Sequence, residues 1–215
     1  MTAREGDAPA DPAALPPSPG ARVVNIANAL TFLRLLLVPV FVAVLFAGDG
    51  HRTAWRVWAF AVFTVASITD RIDGDLARSR NLVTPVGQIA DPIADKALTG
   101  AALIGLSVLG DLPWWVTVLV LVREVGVTAL RFWVIRHGVI PASRGGKLKT
   151  LLQGLAIGLY VLPLTGLPAS LRWWLMAAAV AVTVVTGADY VARAVTLRRT
   201  SPRAAMKRAR RESAG

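Results

Sequence analysis

Five of the chain's thirteen acidic residues, Asp70, Asp73, Asp75, Asp91 and Asp95, fall within residues 70–95. On helices, Asp70 and Asp73 share a face at a spacing of three, and Asp91 and Asp95 share one at a spacing of four. A turn expected from Ser79 to Pro85 folds the first helix end back beside the second, so that four carboxylates converge at one membrane face. Like charges so close repel strongly unless cations neutralise them. The chain has no cysteine, and its two histidines, His51 and His137, are far apart, so thiolate and imidazole sites are excluded. An oxygen-only donor set favours Mg²⁺, Mn²⁺ or Ca²⁺ over zinc. Asp75 falls off the stripe and reads as a helix cap or an arginine partner.

Metals held in this way suit chemistry on a phosphate-bearing substrate. The small residues Gly74 and Ala77 lie on the side of the first helix that faces the cluster, and Gly87 opens the second, leaving room for a bulky ligand against the backbone. That room argues against a metal-ion or proton transporter, the other reading that carboxylates inside a membrane leave open.

A second group of residues is basic. Arg123 sits well inside an otherwise apolar span, and Arg131, Arg144, Lys147 and Lys149 follow it. A charge so placed is costly unless it faces a cavity or an anion, and Glu124, its neighbour in sequence, is expected on a different helix face. The run Ser143-Arg144-Gly145-Gly146-Lys147, with a helix expected to start at Lys147, offers basic side chains and free backbone amides to a phosphate. The second substrate is therefore expected to carry a phosphate. Asn28 and Thr31 are polar at the end of an apolar span and read equally as cavity residues or as structural hydrogen-bonders, whereas Asp189 reads as structural.

These residues need elements to hold them. Of 215 residues 54% are hydrophobic, more than a soluble fold requires. A spanning helix needs roughly 20 mostly apolar residues. About six such stretches occur, near 29–47, 54–70, 87–109, 113–137, 148–164 and 169–195, predicting an all-α, multi-spanning membrane bundle of about six transmembrane helices. Residues 1–20 read as a disordered leader, 21–197 as the membrane domain and 198–215 as a basic cytoplasmic tail.

The net charge of +11 is concentrated in Arg71–Arg80, in Arg131–Lys149 and in the eight Lys or Arg between Arg193 and Arg211. The opposite connections carry only Arg52, Arg56 and Arg172 with Asp49 and Asp111. The positive-inside rule then places both termini and the aspartates in the cytoplasm, at the cell membrane. The basic tail reads as a topology signal and a contact for anionic membrane lipid, and no nucleic-acid partner is expected.

In order, Asp70-x2-Asp73-Gly74-x2-Ala77-Arg78-x8-Gly87-x3-Asp91-x3-Asp95 resembles, without gap or substitution, the signature of the CDP-alcohol phosphatidyltransferases. The resemblance implies a six-helix membrane bundle, usually a homodimer, whose aspartates hold two divalent ions, Mg²⁺ or Mn²⁺. It implies Asp70, Asp73, Asp91 and Asp95 as metal ligands, with Asp95 also the catalytic base. Gly74, Ala77 and Arg78 would then bind the CDP donor, with Thr84 a weaker candidate and Asn28 and Thr31 further ones.

The signature fixes the donor half of the reaction and leaves the acceptor open. Asn25-Ile26-Ala27-Asn28-x2-Thr31-x2-Arg34, the Arg123-Glu124 pair and Gly146-Lys147-x-Lys149-Thr150-x2-Gln153 resemble patterns of the phosphatidylglycerophosphate synthase branch, although Ala27 replaces a common proline. That implies CDP-diacylglycerol as donor and sn-glycerol 3-phosphate as acceptor, its phosphate held by Arg123, Arg144, Lys147 and Lys149. Inositol phosphate and phosphatidylglycerol remain alternative acceptors.

Overall fold

The computed structural model describes residues 26–79, 85–134 and 144–200, with side chains for 30–69, 93–94, 96–134 and 145–198. The expected leader, the 80–84 connection with Thr84, the 135–143 connection and the tail beyond Thr200 lie outside the described residues.

Among the described residues there are helices and no strand, as the apolar runs predict. They are α1 (Ile26–Phe46), α2 (Thr53–Ser79), α3 (Pro85–Val108), α4 (Trp114–Val134), α5 (Arg144–Val161) and α6 (Leu167–Thr200). Pro85 occupies the first helical position of α3, where its missing N–H costs nothing. Two boundaries depart from expectation. Helix α2 continues beyond its apolar part to Ser79, and α5 starts at Arg144 rather than Lys147, taking both glycines into its first turn.

Among the described residues, two segments are long and apolar enough to cross a membrane by length and composition, Leu30–Gly50 and Leu167–Arg198; Thr53–Thr69 and Lys96–Val108 are shorter apolar stretches. By that criterion two of the expected six spans are met among the described residues. Charge is the reason: Arg123 and Glu124 interrupt α4, Lys147 and Lys149 open α5, and the aspartate segment occupies the end of α2 and the start of α3.

Helix α1 packs against both α2 and α3, α5 against α6, α2 and α3, and α4 against α6 and α3. The core runs along these contacts. Phe41 and Leu45 of α1 meet Ala59, Phe63 and Ala66 of α2 and Leu98, Leu103 and Leu106 of α3, joined by Val120, Ile157, Tyr160 and Met176. The Phe41 and Phe63 rings lie 5.8 Å apart and tilted. Between α3 and α4, a buried Thr117 hydroxyl donates to the Leu103 carbonyl at 3.1 Å and lies 2.7 Å from the Ser107 hydroxyl.

One end of the bundle gathers the three short turns. The 3-10 turn Ala47–Gly50 carries three consecutive residues at positive φ, and at Gly50 (φ +73) a side chain would be strained by the backbone and would also press on Leu109. Buried Arg56 of α2 pairs with Asp111 in the α3–α4 turn, and His51 lies 3.7 Å from the same carboxylate. Arg172 of α6 stacks over the Tyr160 ring of α5 at 5.0 Å. Six of the seven tryptophans, Trp55, Trp58, Trp114, Trp115, Trp173 and Trp174, are exposed near the starts of α2, α4 and α6, all at this end; Trp133, also exposed, lies at the end of α4. Outward faces elsewhere are apolar too: Leu36, Val122, Phe132 and Val185 are each more than 60% exposed. Such an exterior suits an apolar surrounding.

Candidate active site

In the other half of the bundle, α1 to α5 enclose a polar cavity of about 260 Å³. Arg34 of α1, Ser67 of α2, Lys96 and Thr99 of α3, Glu124 of α4, and Lys149 and Gln153 of α5 line it. Arg34 is fully buried, and Lys149 and Gln153 nearly so. Among the described residues, three cationic side chains and one carboxylate thus line a small, partly open space, a mixture suited to a charged ligand.

The aspartates continue this lining along two helices. Ser67 is followed on α2 by Asp70 after one turn and by Gly74 after two, so these positions share a face. Thr99 is preceded on α3 by Asp95 and Asp91 at successive spacings of four. The backbone therefore runs the cavity-lining faces of α2 and α3 directly into both aspartate pairs. The side chains of Asp70, Asp73, Asp75, Gly74, Ala77, Arg78, Asp91 and Asp95, and those of Asn28 and Arg144, lie outside the described set; their positions are on helices α2, α3, α1 and α5. Thr31 is buried on α1, one turn before Arg34.

The basic group divides. Lys149 lines the cavity, whereas Lys147 is exposed and does not. Arg123 does not line it either, and the expected separation from Glu124 is wrong: its Nη1 lies 3.1 Å from Glu124 Oε1. Adjacent Cα–Cβ bonds do diverge on a helix, but the long arginine stem carries the guanidinium back round to the neighbouring carboxylate. Nη2 of Arg123 also donates to the Thr186 hydroxyl of α6 at 3.1 Å. The Lys149 ammonium donates to the same Glu124 Oε1, and the Lys96 ammonium donates to the Thr128 hydroxyl. Asp189 bonds Arg193 one turn on, both exposed, in line with a structural role.

Lys96 and Glu124 carried no assigned role in the sequence reading. Their signal was available: Lys96 adjoins Asp95, and Glu124 is a carboxylate inside an apolar helix. Alongside the polar cavity, a second and apolar cavity of about 460 Å³ lies between α2 and α5. Phe60, Ile68, Leu151, Leu155 and Leu159 line it, and it shares Phe63, Ser67 and Gly154 with its polar neighbour.

Among the described residues, a helical bundle with an apolar exterior, a charged cavity and two aspartate pairs at helical spacings suits a membrane protein acting on a phosphate-bearing molecule. Comparison with known proteins gives the family. The profile of the CDP-alcohol phosphatidyltransferases matches residues 24–185, and the chain belongs to that family. It is 62% identical over 175 residues to a probable phosphatidylglycerophosphate synthase of Mycobacterium tuberculosis, covering 81% of this chain and 84% of that one. It is 37% identical over 182 residues to the CDP-diacylglycerol–glycerol-3-phosphate 3-phosphatidyltransferase of Bacillus subtilis, covering 77% and 93%. The enzyme of the same description from Escherichia coli K12 is 37% identical over 140 residues, covering 62% and 74%.

Proposed function

We propose that this chain transfers the phosphatidyl group of CDP-diacylglycerol to sn-glycerol 3-phosphate, forming phosphatidylglycerophosphate and releasing CMP. The observation that carries this reading is the cationic cavity, whose α2 and α3 faces continue in register into the two aspartate pairs. One end then suits a metal-bound diphosphate, and the other a phosphate monoester. The relatives' names agree with both halves.

The donor set at 70–95 fits hard divalent cations: carboxylates at helical spacings, with no cysteine in the chain. Asp70, Asp73, Asp91 and Asp95 would hold two such ions, Mg²⁺ or Mn²⁺, which when bound supply charge neutralisation at the diphosphate and the departing CMP. Asp95 removes the proton from the primary hydroxyl of glycerol 3-phosphate. That oxygen forms a bond to the lipid-linked phosphorus as the diphosphate P–O bond breaks, and CMP leaves with the electron pair. Gly74 and Ala77 let the nucleotide approach the α2 backbone, Arg78 pairs with its diphosphate, and Thr84, Asn28 and Thr31 complete the donor contacts. Lys149, which lines the cavity, attracts and orients the acceptor phosphate; Arg123 and Lys147, which do not line it, and Arg144 add positive charge to the same helices α4 and α5. Gln153 Oε1, buried without a hydrogen-bond partner in the described set, is placed to accept from an acceptor hydroxyl. The apolar cavity beside it suits the donor's acyl chains.

The same reading makes the protein a multi-pass protein of the cell membrane, with six spans and both termini in the cytoplasm, working as a homodimer. Tryptophans collected at the turn end support a membrane interface there, because such residues concentrate at membrane interfaces. The surplus of Lys and Arg at the aspartate end supports the cytoplasmic assignment. A direct test is CMP binding by the detergent-solubilised protein. Binding that requires Mg²⁺ or Mn²⁺ and is lost in Asp91→Asn supports the donor site; CMP-indifferent metal binding returns the carboxylates to a transporter.

A further inference from the structure

In a cavity assigned to a phosphate, Glu124 has the wrong sign. Its side chain is 17% exposed, and its Oε1 takes hydrogen bonds from two basic groups on different helices, Lys149 on α5 and Arg123 on α4. Arg123 is braced in turn by Thr186 of α6, whose hydroxyl donates to the Val182 carbonyl at 2.7 Å. On the opposite side, the Thr128 hydroxyl donates to the Glu124 carbonyl at 2.8 Å while accepting from Lys96 of α3. Residue 124 is therefore where the polar links between α3, α4, α5 and α6 meet. A carboxylate cannot attract a phosphate, but it can fix the groups that do.

We infer that Glu124 is a positioning residue of the acceptor pocket, holding the Lys149 ammonium in the arrangement that receives the acceptor phosphate while Arg123, outside the cavity lining, braces the same carboxylate oxygen. This rests on the proposed function, which makes the cavity the acceptor site. Lys149 has three N–H donors and spends one on Glu124, leaving two for a ligand. Freed from Glu124, its flexible stem scatters the ammonium over many rotamers, and binding must then order it again.

The sign of the effect separates this role from plain electrostatics. Removing a negative charge from a phosphate pocket by Coulomb's law alone lowers the KM for the acceptor. Loss of a positioning residue raises it.

The experiment is steady-state CMP release by purified protein in detergent with Mg²⁺, for Glu124→Gln, Lys149→Met and the double variant, each checked by its melting curve. We expect Glu124→Gln to raise the KM for glycerol 3-phosphate about tenfold, the lower range for one charge-assisted hydrogen bond, with the KM for CDP-diacylglycerol unchanged. In the Lys149→Met background the same change is expected to add less than about twofold, because the lysine it positions is gone. Should Glu124→Gln not fold, Glu124→Asp is read in its place: it keeps the charge but withdraws the oxygen, so a rise in acceptor KM is again expected. A fall or no change in acceptor KM beside a raised value in Lys149→Met overturns the inference and leaves the pocket standing. If Lys149→Met itself leaves the acceptor KM unchanged, or moves the donor KM instead, the acceptor site is misplaced and the proposed function loses its geometry.

Discussion

Replacing Asp111 by asparagine removes the charge that Arg56 faces at the turn end of the bundle. Arg56 is 4% exposed, and its Nε and Nη1 are already buried without hydrogen-bond partners in the described set, so Asp111 carries the compensation for that guanidinium. His51, 3.7 Å from Asp111 and largely exposed, is no substitute, since it is neutral or of the same sign as Arg56. Breaking a buried pair on one side costs about 3–5 kcal/mol; the lower end, ~3 kcal/mol, applies because water reaches part of Asp111. For a chain of this length that corresponds to a fall of roughly 6–12 °C in melting temperature. Replacing both partners, Arg56→Met with Asp111→Leu, removes the buried charge together with its counter-charge and should return stability to within ~1–2 kcal/mol of wild type. The assay is a fluorescence melt in detergent, with CMP release measured on the surviving protein, which should turn over normally because the pair lies at the end away from the cavity. A melting temperature unchanged in Asp111→Asn, or a double variant as unstable as the single one, would refute the reasoning.

Other outcomes follow from named contacts. At Gly105 of α3 a Cβ would lie 2.7 Å from Leu45 of α1, so Gly105→Val should force these helices apart and cost ~1–3 kcal/mol, read in the same melt. Asp95→Asn should lower CMP release by at least about 10²–10⁴, the usual worth of a general base, and also weaken metal-dependent CMP binding measured by calorimetry, because the same carboxylate is assigned to the metal. Thr117→Val should leave the buried Ser107 hydroxyl without the Thr117 hydroxyl and remove the side-chain donor to the Leu103 carbonyl, which keeps its helical bond, and cost ~1–3 kcal/mol, with kinetics unchanged.

Much of the helical frame was legible because apolar runs and Gly-Pro breakers are local signals: Gly110-Asp111-Leu112-Pro113 and Thr165-Gly166-Leu167-Pro168 lie where α3 gives way to α4 and α5 to α6. The aspartate signature was legible for the same reason, its spacings being helical ones. The count of spans was harder to read, because the residues that make the site also lower the apolarity of α2 to α5. The end of α2 was underestimated since Asp70–Ser79 are helical without being apolar. What sequence spacing could not give was side-chain reach. Arg123 curls back to Glu124, Lys149 crosses from α5 to the same oxygen, and Lys96 crosses to Thr128. Each of these links depends on long flexible stems and on which helices become neighbours. Arg34, noted only as part of a pattern, proves to be a wholly buried wall of the polar cavity, which nothing in its immediate sequence announces.

The central claim is the transfer itself, and its most direct measurement is CMP release by the purified chain given CDP-diacylglycerol and Mg²⁺ or Mn²⁺. Glycerol 3-phosphate, inositol phosphate and phosphatidylglycerol are offered in parallel, with Asp95→Asn as control. Release with glycerol 3-phosphate alone, lost in the variant, is the predicted result; release driven by either other acceptor, or by none, contradicts it.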